Sequence, residues 1–159
     1  VVIVIVRDDL IREDVLPFTP TIMRYKTQAD AGSLSNTPPC YGIYICGKVF
    51  QWLKGLGGLE VMQRMNQEKA AILYDYLDQS KLFSGTAKKE FRSLMNVPFV
   101  TGNPDLDAKF IAEAKAAGIE NIKGHRSVGG MRASIYNAMP KAGVEALVQF
   151  MDKFERENA

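Results

Sequence analysis

The amino-acid sequence predicts an α/β fold in which helices pack against a sheet, and two features of the hydrophobic pattern indicate it. The chain opens with six consecutive apolar β-branched residues, at positions 1–6. Such an unalternating run is typical of a strand buried on both faces, as in a parallel sheet covered by helices. From residue 59 onward, helical and alternating periodicities follow in the order helix, strand, helix, strand, helix, the pattern of a small α/β domain.

The opening strand also bears on the extent of the chain. Its six apolar residues are too few to span a bilayer and no basic segment precedes them, so they indicate neither a signal peptide nor an anchor. A strand buried on both faces needs neighbouring strands, and an unpaired one would promote aggregation. We therefore expect the chain to be a piece of a longer protein.

The next part of the chain is expected to contain an irregular connection and one long helix. Prolines and a glycine interrupt any periodicity over residues 7–35, so only short elements are expected there. Asn36-Thr37-Pro38-Pro39 then leads into a helix that ends at the pair Gly57-Gly58. Its apolar stripe contains Tyr41, Ile45, Val49, Trp52 and Leu56, and core packing is expected for its aromatic residues Tyr44, Phe50 and Trp52.

The same glycine pair is the predicted boundary between two parts, residues 1–58 and residues 59–159. A second helix is predicted over residues 59–79. Its apolar stripe consists of Leu59, Met62, Met65, Ala70, Leu73 and Leu77.

The last third of the chain contains the remaining predicted elements. Apolar residues alternate within residues 91–100 and within residues 132–136, as in strands that are buried on one face. Asn103-Pro104 is a typical start for the intervening helix, which Gly118 ends. A final amphipathic helix is predicted from Val144, Leu147, Val148, Met151 and Phe154.

Composition and charge exclude several classes of function. With 47% hydrophobic and 24% charged residues, the chain has the composition of a globular protein, and its formal net charge of +2 provides no general attraction for nucleic acid. Cys40 and Cys46 lie on different faces of one predicted helix, so no disulfide is expected and a reducing cytoplasm fits best. One histidine and two cysteines form no metal-binding pattern, and no membrane partner is indicated.

The segment from Gly124 to Asn137 carries the most informative chemistry. It contains the only histidine, His125, beside Arg126, then a glycine pair that permits close approach of a ligand, then Arg132 at the start of a predicted strand. Guanidinium groups match phosphate or carboxylate with a planar fork of donors, and a neighbouring histidine adds another donor. A substrate with two anionic groups would suit this set. Alternatively, both arginines form surface ion pairs while His125 caps a turn.

Asn36 and Thr37 are a second candidate site. They lie at a predicted helix start, where the partial positive charge of the helix favours a phosphate group. Ordinary helix capping is the alternative role for such residues.

Together these motifs resemble one family. Asn36-Thr37-Pro38-Pro39, Met95-Asn96-Val97-Pro98-Phe99 and the stretch from Gly124 to Ala138 (GHRSVGGMRASIYNA) resemble the phosphoserine aminotransferases, in the same order along the chain. The resemblance implies a cytoplasmic, homodimeric class-V enzyme of fold-type I that uses pyridoxal phosphate, with active sites composed at the subunit interface. The implied reaction interconverts phosphoserine plus 2-oxoglutarate with 3-phosphohydroxypyruvate plus glutamate by transfer of an amino group. It is a step of serine biosynthesis and, in many bacteria, of pyridoxine biosynthesis.

The resemblance also implies roles for individual residues. His125 and Arg126 match the pair that holds the substrate phosphate, and Arg132 matches the arginine that binds the substrate α-carboxylate. Asn36 and Thr37 match the residues that reach the cofactor phosphate of the neighbouring subunit. The lysine that holds the cofactor as a Schiff base precedes residue 1 in the family pattern, so no catalytic residue is expected in this chain and the isolated chain is expected to be inactive.

In terms of fold, the resemblance implies the small C-terminal α/β domain of such an enzyme, residues 59–159, after a remnant of the large cofactor domain, residues 1–58. Two other functions remain open. A stand-alone phosphometabolite-binding module would bind phosphoserine through His125, Arg126 and Arg132 without cofactor or reaction. A structural interaction domain would instead use its arginines in interface ion pairs.

Overall fold

The computed structural model describes residues 1–158 and contains five helices and three short strands in two compact units. The first unit, Val1–Gly55, contains α1 (Tyr25–Asp30) and α2 (Cys40–Gly55); the second begins at Leu56. The elements of the second unit are α3 (Leu59–Gln79), β1 (Ser84–Gly85), β2 (Asn96–Val100), α4 (Pro104–Ala116), β3 (Met131–Ser134) and α5 (Lys141–Asn158). No helix within residues 1–158 is both long and apolar enough to cross a bilayer.

The opening segment does not form the predicted buried strand. Residues 1–6 adopt no regular secondary structure, and the side chain of Ile5 is 94% exposed. All three strands of the sheet belong to the second unit, so the backbone of this segment pairs with no strand among the described residues. The prediction is wrong here because a β-branched run forms a buried strand only where other strands supply hydrogen bonds on both sides.

The first unit otherwise follows the predicted order but has no buried residue of its own. Residues 7–35 contain only two single 3₁₀ turns and α1, as the irregular pattern indicates. The long helix α2 is present, yet Tyr44, Phe50 and Trp52 are each at least 43% exposed, so the expectation of core packing is wrong for them. The apolar stripe of α2 thus faces solvent in this chain.

The second unit confirms the α/β prediction. Its sheet has the order β1-β2-β3 with antiparallel neighbours, and Val97 lies opposite Ala133 in the β2–β3 register. Residues alternate between buried and half-buried along β2 and β3, so one face of the sheet packs on the core and the other does not. Helix α3 has the predicted bounds, whereas β2 occupies only the second half of the predicted segment 91–100 and β1 was not predicted.

Aromatic side chains join the helices to the buried face of the sheet. Phe83, Phe99, Phe110 and Phe154 are at most 2% exposed, and the ring of Phe110 lies 5.1 Å from the rings of Phe83 and Phe154, centroid to centroid. Their edge-to-face geometry is the favoured arrangement of aromatic pairs. This core fixes α4 and α5 on one side of the sheet and leaves the outward residues of β3, including Arg132, on the other.

Candidate anion-binding site

A closed hairpin presents the predicted site residues of the second unit. Its two arms are joined by hydrogen bonds from Arg132 N–H to the Ile122 carbonyl, at 2.7 Å, and from Gly124 N–H to the Gly130 carbonyl, at 2.8 Å. At its tip the His125 carbonyl accepts from the amides of Val128 and Gly129. The hairpin, residues 122–132, therefore carries His125 and Arg126 at its tip and Arg132 on its base.

Two glycines are needed for the hairpin to close. A β-carbon at Gly124 would lie 2.1 Å from the Gly129 carbonyl oxygen, far inside contact distance. Gly130 has a φ of +60°, and a β-carbon there would lie 2.9 Å from the Phe99 carbonyl oxygen on β2. The close approach at Gly130 is thus to the neighbouring strand, whereas Gly129, with φ +78°, borders open space.

His125 is exposed and its ring is held within the hairpin. Its Nδ1 lies 2.7 Å from the Ser127 hydroxyl oxygen and accepts a hydrogen bond from Ser127 N–H at 3.3 Å. Because a backbone N–H can only donate, Nδ1 serves as the acceptor and the proton of the neutral ring lies on Nε2. The Nε2–H group then remains available to an external anion. The side chain therefore caps a turn, as one alternative predicted, and its Nε2–H still remains free to donate.

Neither arginine of the site forms an ion pair within residues 1–158. Arg126 is exposed at the hairpin tip. Arg132 is half-buried on the outward face of β3, and its Nε is buried without a hydrogen-bond partner. This arrangement argues against the alternative in which both arginines make surface ion pairs inside the chain. Two guanidinium groups free of carboxylates are suited to binding an anionic ligand.

Asn36 and Thr37 belong to the first unit and lie just before α2. Both are exposed, and neither side chain forms a hydrogen bond with a described residue. The first helical hydrogen bond of α2 runs from Ile43 N–H to the Pro39 carbonyl, at 3.0 Å. The two side chains therefore do not cap α2, and their donors remain free.

Sequence reasoning missed a buried polar pair behind β3. Asn66 and Lys69 on α3 are 5% and 2% exposed, and both contact the turn that follows β3. Burial lowers the pKa of Lys69 from its ordinary value. The signal was present in the helical pattern: both residues lie on the same stripe as Met62, Ala70 and Leu73, which are all buried.

Comparisons with known proteins identify the family of the chain. The chain matches the family described as aminotransferase class-V over residues 4–147. It is 56% identical over 158 residues to a phosphoserine aminotransferase of Haemophilus influenzae and 54% identical over 160 residues to one of Streptococcus agalactiae. These alignments cover 99% and 100% of this chain but 43% and 44% of the two relatives, so the chain spans less than half of their length.

Solved structures give the same result. A phosphoserine aminotransferase from Bacillus circulans subsp. alkalophilus superposes with a TM-score of 0.89 at 43% identity, over 97% of this chain and 43% of that one. One with bound pyridoxal phosphate from Trichomonas vaginalis has a TM-score of 0.82 at 41% identity, over 87% of this chain and 40% of that one. With a family match that covers most of its length, the chain belongs to the class-V aminotransferase family.

Proposed function

We propose that this chain provides the substrate-binding part of a pyridoxal-phosphate-dependent phosphoserine aminotransferase. The reaction interconverts phosphoserine plus 2-oxoglutarate with 3-phosphohydroxypyruvate plus glutamate by transfer of an amino group. The observation that carries the proposal is the hairpin on which Arg126, Arg132 and the Nε2–H of His125 lack any carboxylate partner in the described chain. The relatives named above support this choice of substrate.

The hairpin separates two kinds of anion recognition. His125 and Arg126 at the tip bind the substrate phosphate, where two charge-assisted donors are available. Arg132 on β3 binds the α-carboxylate with its planar fork of donors. Each charge-assisted hydrogen bond of this kind contributes about 1.5–3 kcal/mol. Together they favour a substrate that carries a phosphate and a carboxylate at a fixed separation.

The donors before α2 fit the phosphate of pyridoxal phosphate. The side-chain amide of Asn36 and the hydroxyl of Thr37 are exposed and unengaged, and the helix start behind them carries partial positive charge. When bound, the cofactor supplies the electron sink for amino transfer. We assign Asn36 and Thr37 to hold its phosphate in the neighbouring subunit of a homodimer.

The remaining assignments follow from the same proposal. Residues 1–58 belong to the large cofactor domain and residues 59–159 form the small domain. The exposed apolar residues of α2, among them Tyr41 at 79% and Tyr44 at 60%, support burial of the first part against further protein. The lysine that holds the cofactor lies outside this chain. Cys40 and Cys46 are free thiols, which is compatible with a cytoplasmic enzyme.

A chimera tests the proposal. Joining this chain to the remaining portion of the Haemophilus influenzae relative should give an enzyme that transaminates phosphoserine with 2-oxoglutarate, and the chain alone should give none. Arg132→Met in the chimera should lower kcat/KM for phosphoserine by about 10- to 100-fold, as expected for a lost charge-assisted bond. Arg156→Met is the matched control, because Arg156 is an exposed arginine that pairs with Asp152 on α5.

Three results would contradict the proposal. One is a folded chimera that binds pyridoxal phosphate but does not react with phosphoserine. Another is a chain that binds phosphoserine tightly without cofactor or partner portion, which would favour the stand-alone binding module. The third is specific labelling of one lysine of this chain when it is treated with pyridoxal phosphate and borohydride and its peptides are mapped, because the proposal expects no such label.

A further inference from the structure

We propose that Lys69 and Asn66 are positioning residues for Arg132: from helix α3 they hold the turn at the end of β3, Tyr136–Met139, and thereby set the affinity for the substrate carboxylate. The inference rests on the proposed function, in which Arg132 binds that carboxylate. Neither Lys69 nor Asn66 touches a substrate in this scheme. They act through the backbone of the strand that carries Arg132.

The ammonium group of Lys69 binds three carbonyls of this turn. Its Nζ donates to the carbonyl oxygens of Tyr136 at 2.6 Å, Asn137 at 3.2 Å and Met139 at 3.0 Å. The side chain forms no ion pair with a carboxylate of the described residues. A buried cation compensated only by carbonyl dipoles is an expensive way to stabilise a fold, since an apolar side chain would avoid the desolvation. The arrangement is better explained by a need to fix this turn in one conformation.

Asn66, which lies one helical turn before Lys69 on α3, binds the same Tyr136–Met139 segment. Its Nδ2 donates to the Asn137 side-chain oxygen at 2.8 Å, while its own Oδ1 is buried without a partner in the described residues. Lys69 and Asn66 therefore bind three residues of the turn, Tyr136, Asn137 and Met139, through main chain and side chain. Because Leu73 and Leu77 anchor α3 in the core, these hydrogen bonds hold the turn against a rigid helix.

The turn itself is strained at the point where it leaves β3. Tyr136 has a φ of +30°, in a region that side-chain-bearing residues rarely adopt. Its carbonyl accepts the shortest of the three bonds from Lys69. Strained backbone that the surrounding structure holds in place is concentrated at ligand sites. The hydrogen bonds from Lys69 therefore hold Tyr136 in this strained conformation.

The turn controls Arg132 because β3 is short. The strand has four residues, Met131–Ser134, and its C-terminal end continues into hydrogen bonds from Ile135 and Tyr136 N–H to the Met95 carbonyl, at 2.9 and 3.3 Å. Arg132 lies four residues before Tyr136, so a shift of the turn moves the base of its side chain. The hairpin tip is held separately, by the bond between Gly124 and Gly130.

The turn and Arg132 also border one cavity. Met139, whose carbonyl Lys69 binds, lines the same open cavity as Arg132 and Ser134. The thioether of Met139 packs against the bare α-carbon of Gly143, where an added β-carbon would lie 2.6 Å from its sulfur. Fixing the Met139 backbone therefore also fixes one wall of the cavity that Arg132 borders.

The test compares two ligands in the chimera described above. Phosphoserine presents phosphate and carboxylate, whereas phosphoethanolamine lacks the carboxylate. Lys69→Met should weaken phosphoserine binding by about tenfold and leave phosphoethanolamine binding within about twofold, because only the carboxylate contact depends on β3. Lys141→Met is the matched control: Lys141 is an exposed lysine two residues after Met139, so it removes the same charge near the same turn.

Hydrogen exchange gives a readout that needs no ligand. The amides of Ile135 and Tyr136 should exchange faster in Lys69→Met and at the parent rate in Lys141→Met. If Lys69→Met does not fold, Asn66→Ala removes only the bond to Asn137 and should change the ratio of the two affinities by about threefold in the same direction.

The outcomes separate this inference from the proposed function. If the parent protein does not bind phosphoserine, the proposed function is wrong, and with it the carboxylate role assigned to Arg132. If the parent binds phosphoserine but Lys69→Met weakens both ligands equally, or leaves the two amides at their parent exchange rates, the positioning role is wrong and the proposed function stands.

Discussion

Substitution of Gly124 by alanine should open the hairpin that carries His125 and Arg126. The φ of Gly124 is not in the left-handed region, so the residue is required for space alone. An added β-carbon would lie 2.1 Å from the Gly129 carbonyl oxygen and 2.8 Å from that of Gly130, whereas ordinary contact begins at 3.4 Å. Both obstacles are backbone atoms, which cannot rotate away as a side chain could.

The expected cost follows from these distances. Moving the Gly129 oxygen from 2.1 to 3.4 Å breaks the 2.8 Å hydrogen bond from Gly124 N–H to the Gly130 carbonyl. Loss of that bond costs about 0.5–1.5 kcal/mol and residual overpacking about 1–3 kcal/mol. We therefore expect Gly124→Ala to lower the free energy of unfolding by about 1.5–4.5 kcal/mol. Gly129→Ala is the matched control, because that site is open but has φ +78°, for which the cost is about 1–2 kcal/mol.

Urea unfolding followed by far-ultraviolet circular dichroism measures both variants. The single tryptophan, Trp52, lies in the first unit, so its fluorescence would not report on the hairpin. Hydrogen exchange at the Gly124 amide adds a local measurement and should accelerate in Gly124→Ala more than in Gly129→Ala. If Gly124→Ala unfolds within about 0.5 kcal/mol of the parent and this amide stays protected, the closed hairpin described above is wrong.

Three further predictions concern the second unit. Burial opposes ionisation of Glu155, but hydrogen bonds from Ser80 and Tyr76 outweigh it and lower the pKa of this carboxyl. The stability that the ionised carboxylate contributes should therefore be present above its ordinary pKa near 4.5 and be lost as the pH falls through the folded-state pKa. Glu155→Gln should accordingly flatten the dependence of Tm on pH in that acid range. Phe110→Ala should lower the free energy of unfolding by about 3–5 kcal/mol in urea titrations, because its fully buried ring contacts several other rings, and a loss below about 1 kcal/mol would contradict the described core. Asn103→Ala should cost about 1 kcal/mol by the same measurement, because the Asn103 side chain accepts from Asp105 N–H at the start of α4, whereas Asn103→Asp should keep most of the stability.

Much of the second unit could be predicted from local patterns. The bounds of α3, the Asn103-Pro104 start of α4 and the amphipathic stripe of α5 depend on residues within a few positions of one another. Helical hydrogen bonds, caps and glycine stops act over this same range, so periodicity reports them directly. The two candidate arginines were singled out for a similar reason, because the whole hairpin lies in one short segment.

Other features depended on contacts that no local pattern contains. The segment Val1–Val6 reads as a buried strand, but strand formation requires partners, and the described chain supplies none. The apolar residues of α2 read as core, yet burial requires a covering surface, and Trp52 remains 43% exposed. Strand β1, with two residues, is defined only by its pairing with β2.

The sequence by itself therefore determined the helices of the second unit, their order with β2 and β3, and the residues of the candidate anion-binding hairpin. The tertiary structure decided which apolar surfaces are covered, that Arg126 and Arg132 lack ion pairs within the described chain, and that Lys69 binds carbonyls 67–70 positions away. The physical reason is the range of the interactions. Backbone hydrogen bonds within a helix join neighbours in sequence, whereas burial, strand pairing and the hydrogen bonds of a buried lysine join groups that only the folded chain brings together.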